Sequence, residues 1–275
     1  MPELPETETI ARQLHDALCG SRIVLAAVYR PDVLRDIDSE LFVLTVTGAT
    51  FERFWRRAKS IVADLSTGER IVVTPRFTGG LFIDEGAMQV DGTDYTALQF
   101  RLTDGRTLRY RDVRRLGTVA VMSPGRFDAW SALIGPDALD PELTPKVFSG
   151  FIRAAKRPIK TVLMDQRMIA GVGNIYANEA LWRAGILPTR PAAELSDAEA
   201  RTLLSGLRRI LRASIKVGGT TFRDYRDPSG ARGRYVAQLK VYGRAGELCS
   251  RCGARLGSHH DLEKRISVFC PGCQR

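Results

Sequence analysis

Along residues 6–19 (ETETIARQLHDALC) the apolar positions Ile10, Leu14, Ala17 and Leu18 recur at helical spacing, and Gly20 follows as a stop. From residue 23 to about 121 the texture changes to short β-type runs: IVLAAVY, LFVLTVTGATF, SIVADL, RIVVTP, GLFID, TALQFRL, TLRYR and TVAVM. Turn formers break them apart, among them Ser66-Thr67-Gly68, Asp84-Glu85-Gly86 and Asp104-Gly105. Eight or so short strands at this spacing predict an antiparallel sandwich or barrel. Residues 123–145 hold four of the 13 prolines with little periodicity, which predicts a linker.

From residue 146 the period turns helical, over 147–155, 161–168, 175–184 and 197–217. Ser196 precedes the last of these with Glu199 three residues on, a capping box. Residues 218–234 (GGTTFRDYRDPSGARGR) form a Gly/Arg-rich stretch without a core pattern, and short strands return from Tyr235. The expected organisation is a mostly β domain over 1–130 with one flanking helix. A linker, helical domain and basic loop follow over 131–234, and a small module over 235–275.

Composition narrows the class. No apolar run approaches the ~18–20 residues of a membrane span, so no membrane association is expected. The acidic, proline-containing start MPELPETETI does not resemble a secretory or transit peptide, so a cytoplasmic setting is expected. Lys+Arg is 41 against Asp+Glu 31, a net charge of +10. The excess is uneven: residues 201–275 carry 16 Lys/Arg and 5 Asp/Glu. Such a concentration favours a polyanion, and DNA above all.

Four of the five cysteines form two pairs, Cys249-x2-Cys252 and Cys270-x2-Cys273, with 17 residues between. This is four-cysteine zinc-ribbon spacing. Four thiolates close a tetrahedral shell and leave no place for water, so one structural Zn²⁺ is expected. Cys19, alone at a helix end, is expected to be an ordinary buried thiol.

The start of the chain, Met1-Pro2-Glu3-Leu4-Pro5-Glu6, carries candidate chemistry. Initiator methionine is usually removed before proline, which would leave Pro2 with a secondary α-amine. An α-amine titrates well below lysine and is a competent nucleophile toward a sugar C1′. Glu3 and Glu6 place carboxyl groups beside it for proton transfer. On composition alone, an acidic leader with prolines blocking edge pairing is the stronger reading. GVG at 171–173 stands even between a tight interhelical turn and a close phosphate approach at a helix N-terminus.

The rest of the chain changes that balance. PELPETE at the start, RRAK at 56–59, RYRDVRRLG at 109–117 and GVGNIYANEALWRAG at 171–185 occur in order. GGTT at 218–221, VYGR at 241–244 and the two cysteine pairs follow. Together these closely resemble the Fpg/Nei family of base-excision DNA glycosylases, essentially end to end, with Leu4 favouring its formamidopyrimidine branch. The resemblance implies an α+β multidomain protein: an N-terminal antiparallel β-sandwich with flanking helix, a helix–two-turns–helix domain and a C-terminal β-hairpin zinc finger. It implies a monomeric bifunctional glycosylase and abasic-site lyase acting on damaged double-stranded DNA. Oxidised purines would be excised, with β,δ-elimination.

By that resemblance Pro2 is the Schiff-base nucleophile and Glu3 the proton donor for sugar-ring opening, with Glu6 in support. Lys59 assists β-elimination and grips a phosphate near the lesion. Asn174 binds backbone phosphate. Arg265 clamps a phosphate and is credited with the δ-elimination proton transfer. Because a guanidinium stays protonated, the clamp is the better-founded role. Arg114 enters the duplex opposite the extruded base, and residues 218–236 cover the flipped base.

Some positions depart from the family pattern. Thr74-Pro75-Arg76-Phe77-Thr78-Gly79 stands where HLGMSG is usual, so Phe77 replaces a gap-filling Met. Leu116 replaces an intercalating Phe, Val113 a Pro, and Tyr95 a DNA-contacting His. Phe77 and Leu116 supply apolar bulk, which suffices to wedge a base step. These changes bear on lesion choice and the opposite base, and leave two other readings open. One is the same chemistry on oxidised pyrimidines or abasic sites. The other is a non-catalytic damage-binding paralogue.

Overall fold

The computed structural model describes residues 1–84, 95–260 and 265–275. The expected turn at Asp84-Glu85-Gly86 falls partly outside them. By contact the chain divides into two compact units, Met1–Ala132 with Val217–Arg234, and Leu133–Lys216 with Tyr235–Arg275. This partition is cut differently from the sequence-based one at 217–234. That segment returns to the first unit because Thr220 N donates to Glu6, Gln13 Nε2 to Asp227, and Ile83 N to the Pro228 carbonyl.

In the first unit, β1 (Ile23–Val28), β5 (Gly79–Asp84), β6 (Thr96–Leu102) and β7 (Thr107–Asp112) form one antiparallel sheet in the order β1-β6-β7-β5. The strands β2 (Phe51–Arg57), β3 (Ser60–Leu65), β4 (Arg70–Thr74) and β8 (Thr118–Met122) form the second, in chain order. Their inner faces meet in one core that includes Leu98, Phe100 and Tyr110 from the first sheet and Phe51, Ile61 and Ile71 from the second. Helix α1 (Leu4–Leu18) adds Ile10, Leu14 and Leu18 to that core.

Three elements depart from the sequence expectation. The run LFVLTVTGATF is not one strand. Its first part lies in helix α2 (Ser39–Val46), started by Asp38, whose side chain accepts from Leu41 N at 2.8 Å. Phe42 and Val46, four apart, point into the core, while Leu44 stays 76% exposed. β2 follows instead over FERFWRR, where a register shift between Phe51 and Arg53 lets Phe51 and Phe54 both face inward. Such a bulge erases the two-residue alternation by which a strand is read. Third, the expected linker contains helix α3 (Pro124–Ala132). Its Phe127 packs with Trp55 and Trp130 on Val62, Val72, Ala120 and Met122, covering the outer face of the second sheet. A sheet covered on both faces accounts for the near-continuous apolar runs of β3, β4 and β8.

The second unit holds α4 (Pro145–Arg153), α5 (Ile159–Met164), α6 (Asn174–Ala184) and α7 (Asp197–Lys216), then the hairpin β9 (Gly257–His259) and β10 (Ser267–Phe269). The capping box at Ser196 is present: Glu199 N donates to Ser196 Oγ and Ser196 N to Glu199 Oε2. Cys19 is exposed, not buried, with its thiol 2.9 Å from the Glu52 carbonyl oxygen. Among the described residues no helix is long and apolar enough to cross a membrane.

Candidate active site

The chain start is folded, not loose. Pro2 is buried, and Glu3 and Glu6 are 2% and 1% exposed. Glu3 and Glu6 form a reciprocal capping box that begins α1, with Glu3 N donating to Glu6 Oε2 at 2.8 Å. The other oxygen, Oε1, accepts from Thr220 N at 2.7 Å. Gly219 makes that approach possible: its φ is +84°, and a Cβ there would lie 3.1 Å from Glu6 Cγ. Tyr225 from the same segment is buried near Glu6 and Asp227; burial first, then those two carboxylates, push its phenol pKa up.

Lys59 sits at the tip of the two-residue hairpin between β2 and β3, after Ala58 at φ +55°. The neighbouring arginines brace that tip. Arg56 Nε donates to Glu8 Oε2 of α1 at 2.8 Å and Arg57 Nε to Ser131 Oγ at 2.8 Å. The RRAK motif is therefore tied to the same helix that carries Glu3 and Glu6.

Thr78 and residues 113–117 form a second cluster in this unit. Phe77 and Leu116 are 37% and 41% exposed, and the Arg114 guanidinium carbon lies 5.1 Å from the Phe77 ring centroid. Arg115 turns instead toward Asp32, at 3.6 Å. Tyr95 is half exposed at φ +60°, and its carbonyl accepts from Asp112 N.

Sequence reasoning missed Asp112. This carboxylate, 1% exposed, accepts from Thr78 Oγ1 at 2.5 Å, Gly117 N at 2.7 Å, Arg114 N at 3.2 Å and Tyr110 Oη at 3.3 Å. Burial, then the charge of Asp112, raises the Tyr110 pKa. One side chain thus holds both loops that carry Phe77, Arg114 and Leu116. Its only sequence signal was an Asp at a strand end beside RRLG. Asp112→Asn puts an amide donor among four donors. It is expected to lower the unfolding free energy by about 1–3 kcal/mol in urea melts. An unchanged midpoint would contradict this role.

In the second unit, Asn174 is the first residue of α6, after a turn in which Gly171 has φ +91°. Gln166, also missed from sequence, braces that turn. Its Nε2 donates to the Met164 and Val172 carbonyls and its Oε1 accepts from Gly171 N. The Asn174 side chain accepts from Asn178 Nδ2 at 3.1 Å, at a helix N-terminus suited to an anion. Further along, Asn178 Oδ1 accepts from Val268 N and Glu179 from the backbone of Lys240, Val241 and Tyr242. Burial pushes the Glu179 pKa up against those three donors. The NE of GVGNIYANE therefore docks the C-terminal module onto α6.

The sulfurs of Cys249, Cys252, Cys270 and Cys273 all lie within 4.8 Å of one another, with Cys249–Cys273 at 3.9 Å and Cys252–Cys270 at 3.4 Å. Four sulfurs about 2.3 Å from one zinc stand at such separations, so the donor set fits Zn²⁺. Cys249 and Cys270 share a small apolar cluster with Trp182, Val241, Leu256 and Val268. Arg265 is half-buried, two residues before β10.

Family models for the formamidopyrimidine-DNA glycosylase N-terminal domain and its H2TH domain match residues 1–119 and 134–226. The chain belongs to the formamidopyrimidine-DNA glycosylase family. Relatives bearing that name include one from Moorella thermoacetica, 40% identical over 93% of each chain. Another, from Carboxydothermus hydrogenoformans, is 38% identical over the full length of both. Among solved structures, a Lactococcus lactis FPG mutant in complex with Fapy-dG-containing DNA has a TM-score of 0.92 at 30% identity, over 100% of both chains. The same enzyme with abasic-site DNA matches at 0.92 and 30%, over 99% of each. Within the formamidopyrimidine-DNA glycosylase fold, the β-sandwich, the helical domain and the four-cysteine hairpin are thus all present.

Proposed function

We propose that this chain is a bifunctional DNA glycosylase and abasic-site lyase that excises oxidised purines, formamidopyrimidine and 8-oxoguanine, from duplex DNA. The observation that carries the reading is the buried chain start, where Pro2 is buried and the next residue, Glu3, is held by a Glu6 that is itself bound to Thr220. A disordered acidic leader would have no reason to bury two carboxylates.

After loss of Met1, the Pro2 nitrogen attacks C1′ and the base departs with the bonding electrons. Glu3 gives a proton to the sugar-ring oxygen, the ring opens, and an iminium links Pro2 to C1′. Proton loss at C2′ expels the 3′ phosphate, with Lys59 assisting and gripping phosphate. A second elimination expels the 5′ phosphate, and water frees the amine. Arg114, Phe77 and Leu116 fill the space of the extruded base, and Tyr95 lies at the DNA face. Asn174 and Arg265 grip phosphates. Zinc, when bound by the four cysteines, holds the hairpin that carries Arg265 and does no chemistry. A cytoplasmic monomer is the setting this reading implies.

A second substrate class has support of its own. Lactococcus lactis Fpg has been solved with oxidized-pyrimidine DNA, at TM-score 0.91 and 29% identity to this chain. The wedge residues also depart from the family pattern at Phe77 and Leu116. A panel of formamidopyrimidine, 8-oxoguanine, thymine glycol and abasic duplexes with borohydride trapping separates the readings. Faster trapping on the two purine lesions is expected. Thymine glycol preferred over both would move the substrate to pyrimidines, and no cleavage of abasic duplex would leave a damage-binding protein.

A further inference from the structure

The second unit carries a basic feature that the proposed chemistry leaves unused. A cavity of about 570 Å³ opens on it, lined by Arg183, Arg201, Thr202, Ser205, Arg209 and Arg251. Arg183 lies nine residues along α6 from Asn174, about 14 Å by helical rise, so the cavity is at the other end of that helix. Arg201, Ser205 and Arg209 recur every four residues and share one face of α7.

These arginines are arranged, not merely collected. Arg251 stacks its guanidinium 4.2 Å from the Trp182 ring centroid, and its Nη2 donates to the Arg183 carbonyl at 3.3 Å. Stacking holds the group flat while leaving in-plane N–H donors for an anion. Gly206 gives the Arg183 stem its place: a Cβ there would lie 3.3 Å from Arg183 Cδ. Glycine is unfavourable in the middle of a helix, and close approach is the usual reason for one.

Among the described residues, the ion pairs of this unit engage Arg153, Arg157, Arg167, Arg190 and Arg244 with carboxylates. Arg183, Arg201, Arg209 and Arg251 belong to none of them. The charge of Arg201 is felt by Asp197, but that carboxylate bonds Ser149 and Arg153. Four like charges converging on one concavity repel one another until an anion enters.

The lining also selects among anions. Its one aromatic neighbour, Trp182, is covered by Arg251, so no ring is offered to a base and no apolar anchor to an acidic peptide. Guanidinium and hydroxyl donors along about 12 Å of helix match about three successive phosphates of one DNA strand. We infer that this cavity binds the phosphodiester backbone of a second DNA segment while the first is held for repair. Two such sites let the protein pass between segments without release into solution.

The test uses the full-length, zinc-loaded protein already saturated with a duplex containing a tetrahydrofuran abasic analogue. A fluorescent undamaged duplex is then titrated in, and ternary complexes are read by sedimentation and by energy transfer between the two duplexes. Wild type is expected to take up the second duplex. Arg201→Glu/Arg209→Glu is expected to weaken that capture at least tenfold, with first-duplex affinity and abasic-site cleavage within twofold of wild type. The milder Arg201→Gln/Arg209→Gln is expected to reduce the log–log salt slope of second-duplex binding by about 2. Absence of a ternary complex in wild type, or equal capture by both variants, overturns the inference. So does an acidic peptide that binds the loaded protein where duplex does not. Failure to bind even the first duplex would instead strike at the glycosylase reading.

Discussion

An uncleaved Met1 is expected to abolish covalent trapping, because Pro2 nitrogen is then an amide with no lone pair available for attack. Turnover of an 8-oxoguanine duplex should fall on the order of 10³-fold or more, the scale seen when a catalytic nucleophile is lost. The capping box forms with Met1 attached, so such a chain retains its fold and its affinity for an abasic-analogue duplex. That pairing of intact binding with lost trapping isolates the chemistry. Glu3→Gln keeps the shape but donates no acidic proton, and turnover is expected to drop about 10²–10⁴-fold. Full borohydride trapping by the Met1-blocked protein would remove Pro2 from the mechanism.

Removal of zinc is expected to have the next largest effect. The module's own apolar cluster is small, and below about 40 residues a fold usually needs a metal or an equivalent staple. Structural zinc contributes about 10–16 kcal/mol in comparable peptides, far more than that cluster can replace. Metal analysis should find one zinc per chain. Stripping it, or Cys252→Ser with Cys270→Ser, should release the hairpin that carries Arg265 and lower duplex affinity about 10²-fold or more. Trp182, packed against the module, reports the loss as a change in fluorescence. The first unit has an apolar core of its own, with Ile10, Phe51 and Leu98 among its members, and is expected to keep it in that experiment. A zinc-free protein with full duplex affinity would contradict the assignment.

Much of the second unit was legible because its signals are local. The helical period, the Ser196 box and the cysteine spacing each act within a few residues, and each element appears where they point. The first unit was harder. Residues 41–46 are rich in β-formers, yet they make a helix because Asp38 caps it and the core accepts Phe42 and Val46 from one face. α3 escaped notice because a single turn of aromatics, Phe127 and Trp130, does its packing.

The sequence by itself determined the family and the four zinc-binding cysteines, and through that family resemblance it nominated Pro2, Glu3, Lys59 and Asn174 as site residues, because motifs depend on residue type and short spacing. Tertiary structure alone decided what holds them. Glu6 meets Thr220 across 214 residues, Asp112 meets Thr78 across 34, and Glu179 meets Val241 across 62. Each is a buried carboxylate that takes backbone amides from distant segments, Asp112 adding the hydroxyls of Thr78 and Tyr110, and a backbone amide carries no residue identity for a sequence to display. The same limit hid the arginine cavity. Its members are ordinary surface cations in the chain, and only the approach of α6, α7 and the first cysteine pair turns them toward one space.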